Sequence, residues 1–208
     1  MIAIVDYGLG NLGSVANMLK KIGARAIVTS APEEIRRASG LILPGVGHFA
    51  EGMRKLRERS LRDIVAERVL DAKTPILGIC LGMQLLARRS EEGNEVGLGW
   101  ISADVKRFNF GAGEQLPIPH MGWNEVDVVD DTLFRGAPSA PARFYFVHSY
   151  HVVCDEAKSV AAWSTYGYRF AAAVRFGHVF GAQFHPEKSH KFGMAVLKNF
   201  VALAADAP

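Results

Sequence analysis

Short apolar runs alternate with stretches of helical spacing along the first 90 residues. Residues 2–6, 26–29, 40–43 and 76–79 are apolar runs of strand length, without the polar alternation of a half-exposed strand. Residues 11–22 carry Leu12, Val15, Ala16, Leu19 and Ile22 at helical spacing. Pro32, Glu33 and Glu34 mark a second helix start, because proline suits the first turn and acids suit the positive end of the dipole. Residues 49–72 predict a third helix, broken near Ser60, whose hydroxyl can cap the second half. A further helix follows at 83–88. Strand and helix alternating in this way predict a parallel sheet with helices on its faces.

The pattern changes after a polar loop at 90–95. Strand-like pieces follow at 105–108, 126–129, 144–147, 160–163, 171–174 and 179–184, and they outnumber helices. Residues 116–124, Leu-Pro-Ile-Pro-His-Met-Gly-Trp-Asn, read as a loop that fits a partner surface or equally a packed connection. Residues 191–205 predict a closing helix, apolar at Met194, Val196, Leu197, Phe200, Val201 and Leu203. No repeat or linker interrupts the chain. The expectation is a single domain over 1–208. Its fold class is α/β, with an open, mostly parallel sheet, flanking helices and an added antiparallel strand region in the second half.

Composition narrows the class of function. Of 208 residues 49% are apolar and 22% charged, ordinary for a globular protein. The formal charge of +3 is mild and dispersed, which argues against nucleic acid. No apolar run approaches the roughly 20 residues of a membrane span, and the first residues lack the pattern of a signal peptide. The two cysteines, Cys80 and Cys154, have neither metal nor disulfide spacing. A reducing cytoplasm is the expected compartment; neither metal nor cofactor is expected.

The chemistry centres on Gly78-Ile79-Cys80-Leu81-Gly82, between a strand and a helix. This is the nucleophile-elbow pattern with cysteine in place of serine. Glycines flank the nucleophile because a Cβ there would strike the neighbouring strand or helix. A thiol at a helix start also meets the positive end of the dipole, which favours thiolate. The other reading is a buried structural cysteine. Pro44-Gly45-Val46-Gly47 ends the third strand at the edge where open α/β sheets bind ligands, as an anion-binding loop or a plain turn. Gly8, Gly10 and Gly13 form a formal dinucleotide motif. Asp6 and Tyr7 intervene before the first glycine, however, and the second strand ends without a ribose-binding acid, so a tight turn explains them.

A thiol nucleophile needs a base, and the base an orienting group. Of seven histidines, His48, His120, His151, His178 and His190 have no nearby acid at a strand end, and His148 remains possible. His185 is the strongest, because it follows an apolar strand and is followed by Pro186 and Glu187. In extended chain, residues two apart share a face, so Glu187 can fix the imidazole tautomer. The reaction then reads as acyl transfer. The Leu81 N–H and the Gly45-Val46-Gly47 loop would hold an oxyanion, each donor worth about 3 kcal/mol of transition-state stabilisation.

Gly78-x-Cys80-x-Gly82-x-Gln84 together with His185-Pro186-Glu187 resembles the triad-type class I glutamine amidotransferases. These split glutamine and hand ammonia to a synthase. Four further stretches are similar to the branch of that family serving histidine biosynthesis: residues 6–15, 44–47, 119–124 and 144–150. The resemblance covers nearly the whole chain. It implies hydrolysis of L-glutamine to glutamate by a Cys80–His185–Glu187 triad. It also implies a heterodimer with a (β/α)8-barrel cyclase that forms imidazole glycerol phosphate and AICAR. By the same resemblance Gln84, Glu92 and the Ser149-Tyr150 backbone would hold glutamine's amino-acid end. Gly45, Val46, Gly47 and Leu81 would supply the oxyanion site, with the Val46 N–H turning inward before catalysis. Met121, Trp123, Asn124 and Tyr145 would face the partner. His48 and the Tyr168-Arg169 pair are less typical of the family. A paralogous glutaminase feeding another synthase, such as one amidating a surface sugar, stays open, as does a catalytically silent regulatory subunit.

Overall fold

The computed structural model describes residues 1–111, 116–137 and 141–206. The first half is built of β1 (Ile2–Val5), α1 (Leu12–Lys21), β2 (Ala26–Thr29), α2 (Pro32–Arg37), β3 (Gly40–Gly45), α3 (Phe49–Glu58), α4 (Leu61–Ala66), β4 (Ile76–Cys80) and α5 (Leu81–Leu85). The second half is mostly strand. It comprises β5 (Arg89–Ser90), β6 (Glu95–Val96), β7 (Ala103–Arg107), β8 (His120–Val128), β9 (Ala142–His148), β10 (Tyr150–Cys154), β11 (Val160–Tyr166), β12 (Tyr168–Phe176) and β13 (Val179–Ala182), closed by α6 (His190–Ala205). A nine-stranded sheet runs β2-β1-β3-β4-β13-β12-β11-β8-β9, and a four-stranded sheet runs β10-β7-β5-β6. The block β2-β1-β3-β4-β13 is parallel and the remainder of the large sheet is antiparallel.

Within the parallel block β1, β3, β4 and β13 are buried on both faces, while the edge strand β2 is partly exposed. Ala3, Val5, Leu41 and Leu43 join α3, α4 and α5 in one core, through Phe49, Met53, Leu61 and Leu85. Ile2, Ile4, Ile42 and Leu77 point the other way, onto Val15 and Leu19 of α1 and Val196, Leu197 and Phe200 of α6. The strands therefore read as continuous apolar runs. Their carboxyl ends share one edge, which gathers Tyr7, Gly45, Cys80 and the chain leading to His185.

The short strands β5 and β6 border the expected polar loop at 90–95, and β10 is a strand the sequence reading does not predict; four further differences bear on the site. First, β3 continues through Pro44 and Gly45, pairing with Ile79 and Cys80. Gly45 packs so closely that a Cβ would collide with the Tyr7 hydroxyl and come 2.9 Å from Gly82 N. Second, Ser60 does break the long helix, but it caps nothing with its hydroxyl. It takes a left-handed conformation (φ 55°) and closes α3, its N–H bonding Arg57 O at 2.9 Å. Third, the elbow helix stops at Leu85, not Arg88. The carbonyls of Leu85 and of Leu86 and Ala87 just beyond it are taken by the Leu98, Trp100 and Gly99 N–H groups at 2.8–3.0 Å. Fourth, residues 120–124 are not loop but the start of β8, paired with β9 from His120↔His148 to Asn124↔Phe144. The inward face there is His120, Gly122 and Asn124, so no apolar alternation announces it.

Candidate active site

Cys80 stands at the end of β4 with φ 54° and ψ −109°, a backbone state costly for any residue with a Cβ. The flanking glycines leave room for this turn. A Cβ on Gly78 would lie 2.7 Å from Gly82 and Met83 backbone atoms, and one on Gly82 would collide with Leu43 O. The Cys80 thiol donates to Val147 O at 3.8 Å and accepts from Gln183 Nε2 at 3.8 Å.

His185 follows β13 and is held by its backbone. Its N–H bonds Tyr145 O at 2.9 Å, and Ser189 Oγ donates to its carbonyl at 2.6 Å. His185 Nδ1 meets Glu187 Oε1 at 2.8 Å, both side chains 1% exposed. The expectation of an extended chain between them is corrected: Pro186–Lys188 is a 3-10 turn, and Glu187 reaches the ring across it. Since Glu187 receives the Nδ1 proton, Nε2 carries the basic lone pair, and it has no hydrogen-bond partner of its own. Burial alone would lower the His185 pKa. The nearby Cys80 and the hydrogen bond and charge of Glu187 outweigh it and raise the pKa to about 9. A buried base beside a thiol can draw off its proton and hold the resulting cation.

A cavity of about 290 Å³ opens over the thiol. It is lined by Val46, Gly47, Cys80, Leu81, Gln84, Glu92, Pro119 and Val147 to Tyr150, which brings most of the sequence-selected residues into one place. Gly45 lies beneath the cavity, paired with Cys80. Gln84 Nε2 donates to Tyr150 O at 2.9 Å and to Gln183 Oε1 at 3.1 Å. Both of its amide hydrogens are thus committed, and toward the cavity it can only accept. Glu92 Oε2 accepts from Phe49 N at 2.7 Å, tying the pocket wall to the start of α3. A larger cavity of about 710 Å³, between Phe134, Trp163 and Arg169, has neither cysteine nor histidine among its described lining residues.

Met121 and Trp123 lie on one exposed face of β8, 63% and 41% accessible. Tyr145 stands edge-on to Trp123 at 6.2 Å, and His190 stacks on it at 5.4 Å. Asn124 does not share that face: Nδ2 reaches Thr165 O at 2.8 Å and His120 Nε2 at 3.3 Å. His48 caps α3 by accepting from Ala50 N at 3.3 Å. Tyr168 hydrogen-bonds His151 at 2.9 Å, and Arg169 stacks on Trp163 at 4.8 Å. Gly8 and Gly10 form a tight turn, with Gly8 N donating to Asp6 Oδ1 at 2.9 Å and Gly10 pressed on Pro44. Among the described residues no group of three or more His, Cys, Asp or Glu side chains could hold a metal ion.

Gln183, Tyr7 and the contact between His120 and His148 escaped the sequence reading. Gln183 is fully buried between Gln84 and Cys80, and its signal was a lone amide in an apolar strand. Tyr7 is fully buried beneath Gly45, its hydroxyl without a partner and its ionisation opposed by burial and by Cys80. His120 and His148 hydrogen-bond each other at 3.1 Å, which nothing in their spacing foretells.

Comparison with known proteins agrees with this geometry. The description "Glutamine amidotransferase class-I" matches residues 3–204. The chain is 49% identical to imidazole glycerol phosphate synthase subunit HisH 2 of Methanococcus maripaludis, covering 98% of this chain and 100% of the relative. It is 46% identical to subunit HisH of Leptospira interrogans, with 98% and 100% covered. Among solved structures, PurLQS from Thermotoga maritima superposes with a TM-score of 0.74 at 19% identity, covering 97% of each chain. A structure described as glutamine amidotransferase gives 0.72 at 24%, covering 98% of each. These two speak for the fold alone. With the elbow cysteine, the His185–Glu187 pair and a match over nearly its full length, the chain belongs to the class-I glutamine amidotransferase family.

Proposed function

We propose that this chain hydrolyses L-glutamine to glutamate and ammonia, and that the ammonia serves the cyclase subunit of an imidazole glycerol phosphate synthase in histidine biosynthesis. The observation that carries this is Cys80 at the floor of a cavity of about 290 Å³, with the buried His185–Glu187 pair close enough to Cys80 to feel its charge. His185 Nε2 takes the thiol proton and Cys80 Sγ attacks the side-chain amide carbon. The oxyanion is held by the Leu81 N–H with the Val46–Gly47 loop. The intermediate collapses as His185 returns the proton to nitrogen and ammonia leaves. His185 then takes a proton from water, which attacks the thioester and releases glutamate and the thiol.

The amino-acid end of glutamine sits against Gln84, Glu92, Ser149 and Tyr150. Gln84 has only its Oε1 to offer and Glu92 is acidic, so together they suit the α-ammonium group. The exposed Met121 and Trp123, with Tyr145, provide the apolar and aromatic face for a cyclase of (β/α)8-barrel type. The chain acts as one domain throughout.

The test is a glutaminase assay of the chain alone and then with the cyclase and its nucleotide. Near-silence alone and strong activation in the complex are expected. Full activity in isolation would remove the partner from the mechanism, and activation by another synthase would reassign the pathway.

A further inference from the structure

We propose that His120 and His148 are positioning residues of the glutamine pocket, joined in a one-way hydrogen-bond chain that runs from Asn124 to the Tyr150 carbonyl. The proposal rests on the glutaminase reading of that pocket. At one end, the Asn124 amide is oriented from both sides: Oδ1 accepts from Glu125 N at 2.8 Å, and Nδ2 donates to Thr165 O at 2.8 Å. The same Nδ2 faces His120 Nε2 at 3.3 Å, so that ring nitrogen must be the acceptor. The His120 proton then lies on Nδ1 and is given to His148 Nε2 at 3.1 Å. At the other end, His148 Nδ1 faces Tyr150 O at 2.8 Å, and a carbonyl can only accept. The two ends are independent, yet each dictates the same tautomer for both rings.

The chain ends on an atom that matters. Tyr150 O is also the acceptor of Gln84 Nε2 at 2.9 Å, and Gln84 leads through Gln183 to Cys80 Sγ. Two donors fix this carbonyl, and it in turn fixes the wall where the amino-acid end of the substrate is held. The rings have little freedom. His120 is sandwiched between Tyr166 at 4.1 Å and Phe146 at 5.0 Å, while Phe108 and Phe170 flank His148 at 5.2 and 5.3 Å. Burial disfavours the charged form of both rings, consistent with neutral imidazoles throughout. Their contact with substrate is indirect, through Tyr150 and Gln84. Losing them therefore weakens binding that is equal in ground and transition states, which appears in KM more than in kcat.

The first test is spectroscopic and needs no turnover. In histidine-labelled protein at neutral pH, long-range nitrogen–proton correlations should report Nδ1–H for both rings. An Nε2–H tautomer or a cation at either position overturns the chain. The second test uses the assembled complex. Asparagine presents a donor near the place of His Nδ1, whereas leucine keeps nearly the volume of histidine and donates nothing. His148→Leu should raise KM for glutamine about tenfold with kcat little changed, and His148→Asn should stay within about threefold of wild type. A purely packing role predicts the reverse order, and that order would overturn the proposal. A wild-type complex that never hydrolyses glutamine would refute the glutaminase reading and the substrate half of this proposal, while the tautomer spectrum still decides the chain itself.

Discussion

Two buried histidine sites lie close to one another and behave in opposite ways. His185 is 1% exposed and its pKa is raised to about 9. His148 is 6% exposed and its pKa is lowered to about 3, with His120 beside it lowered to about 4. Burial disfavours the imidazolium in both. At His185 it is outweighed by a thiol and by a carboxylate on Nδ1. At His148 it is reinforced by the nearby histidines, and the backbone carbonyl of Tyr150 only partly opposes it. Depth thus does not decide what a histidine does; the charge that shares its cavity does. One site leaves Nε2 without a hydrogen-bond partner, whereas the other commits every ring nitrogen.

The sharpest way to break the comparison is to remove the thiol. Cys80→Ala is expected to lower glutamine-dependent turnover by about 10⁴-fold or more, because a covalent pathway loses its nucleophile. Ammonia supplied directly should still support the partner. Survival of glutamine turnover would mean that Cys80 is not the nucleophile. Glu187→Gln is the smaller cut. The amide keeps the shape but not the charge, and it can stabilise the wrong tautomer of His185. A loss of about 10³-fold in kcat, with KM for glutamine within a fewfold, is expected in steady-state assays of the complex. An unchanged kcat would remove Glu187 from the mechanism.

The parallel half was legible because β1, β3, β4 and β13 are buried on both faces and so spell apolar runs. The elbow was legible because glycines at 78 and 82 are required by contacts that any Cβ would violate. The antiparallel half was less so. The inward face of β8 carries His120, Gly122 and Asn124, and no hydrophobic period reveals a strand whose buried side is a polar chain. Glu187 was set beside His185 on an argument from extended chain, but a 3-10 turn makes the contact. The commitments of Gln84, Gln183 and Tyr150 join residues 66 to 99 positions apart, and only the folded sheet brings them together.

The smallest effect expected is also the one that separates the two sites most cleanly, because their contributions to stability have opposite pH slopes. For His185 the folded pKa of about 9 lies above the unfolded value of about 6.5. Between these the folded state binds more protons, so stability is full below about pH 6.5 and is lost as pH rises through about 9. For His120 and His148 the folded values lie below 6.5. There the unfolded state binds more protons, so stability is full above about pH 6.5 and is lost as pH falls toward 4 and below. Each limb should amount to about 1–3 kcal/mol. Urea unfolding between about pH 6.5 and 8.5, and between about 4.5 and 6.5, reads the two limbs. Those windows lie below the Cys154 thiol, which burial pushes up to about 12, and above Asp104 and Asp130, whose bonds to Arg88, Arg89, Thr132 and Arg175 hold them below the ordinary carboxylate range. Glu187→Gln should shrink the alkaline limb to the part that Cys80 supports and leave the acid limb unchanged, whereas His148→Leu should shrink the acid limb alone, to the share of His120. If Glu187→Gln leaves the alkaline slope intact, His185 is not held as the cation by its carboxylate, and the contrast between the two sites collapses.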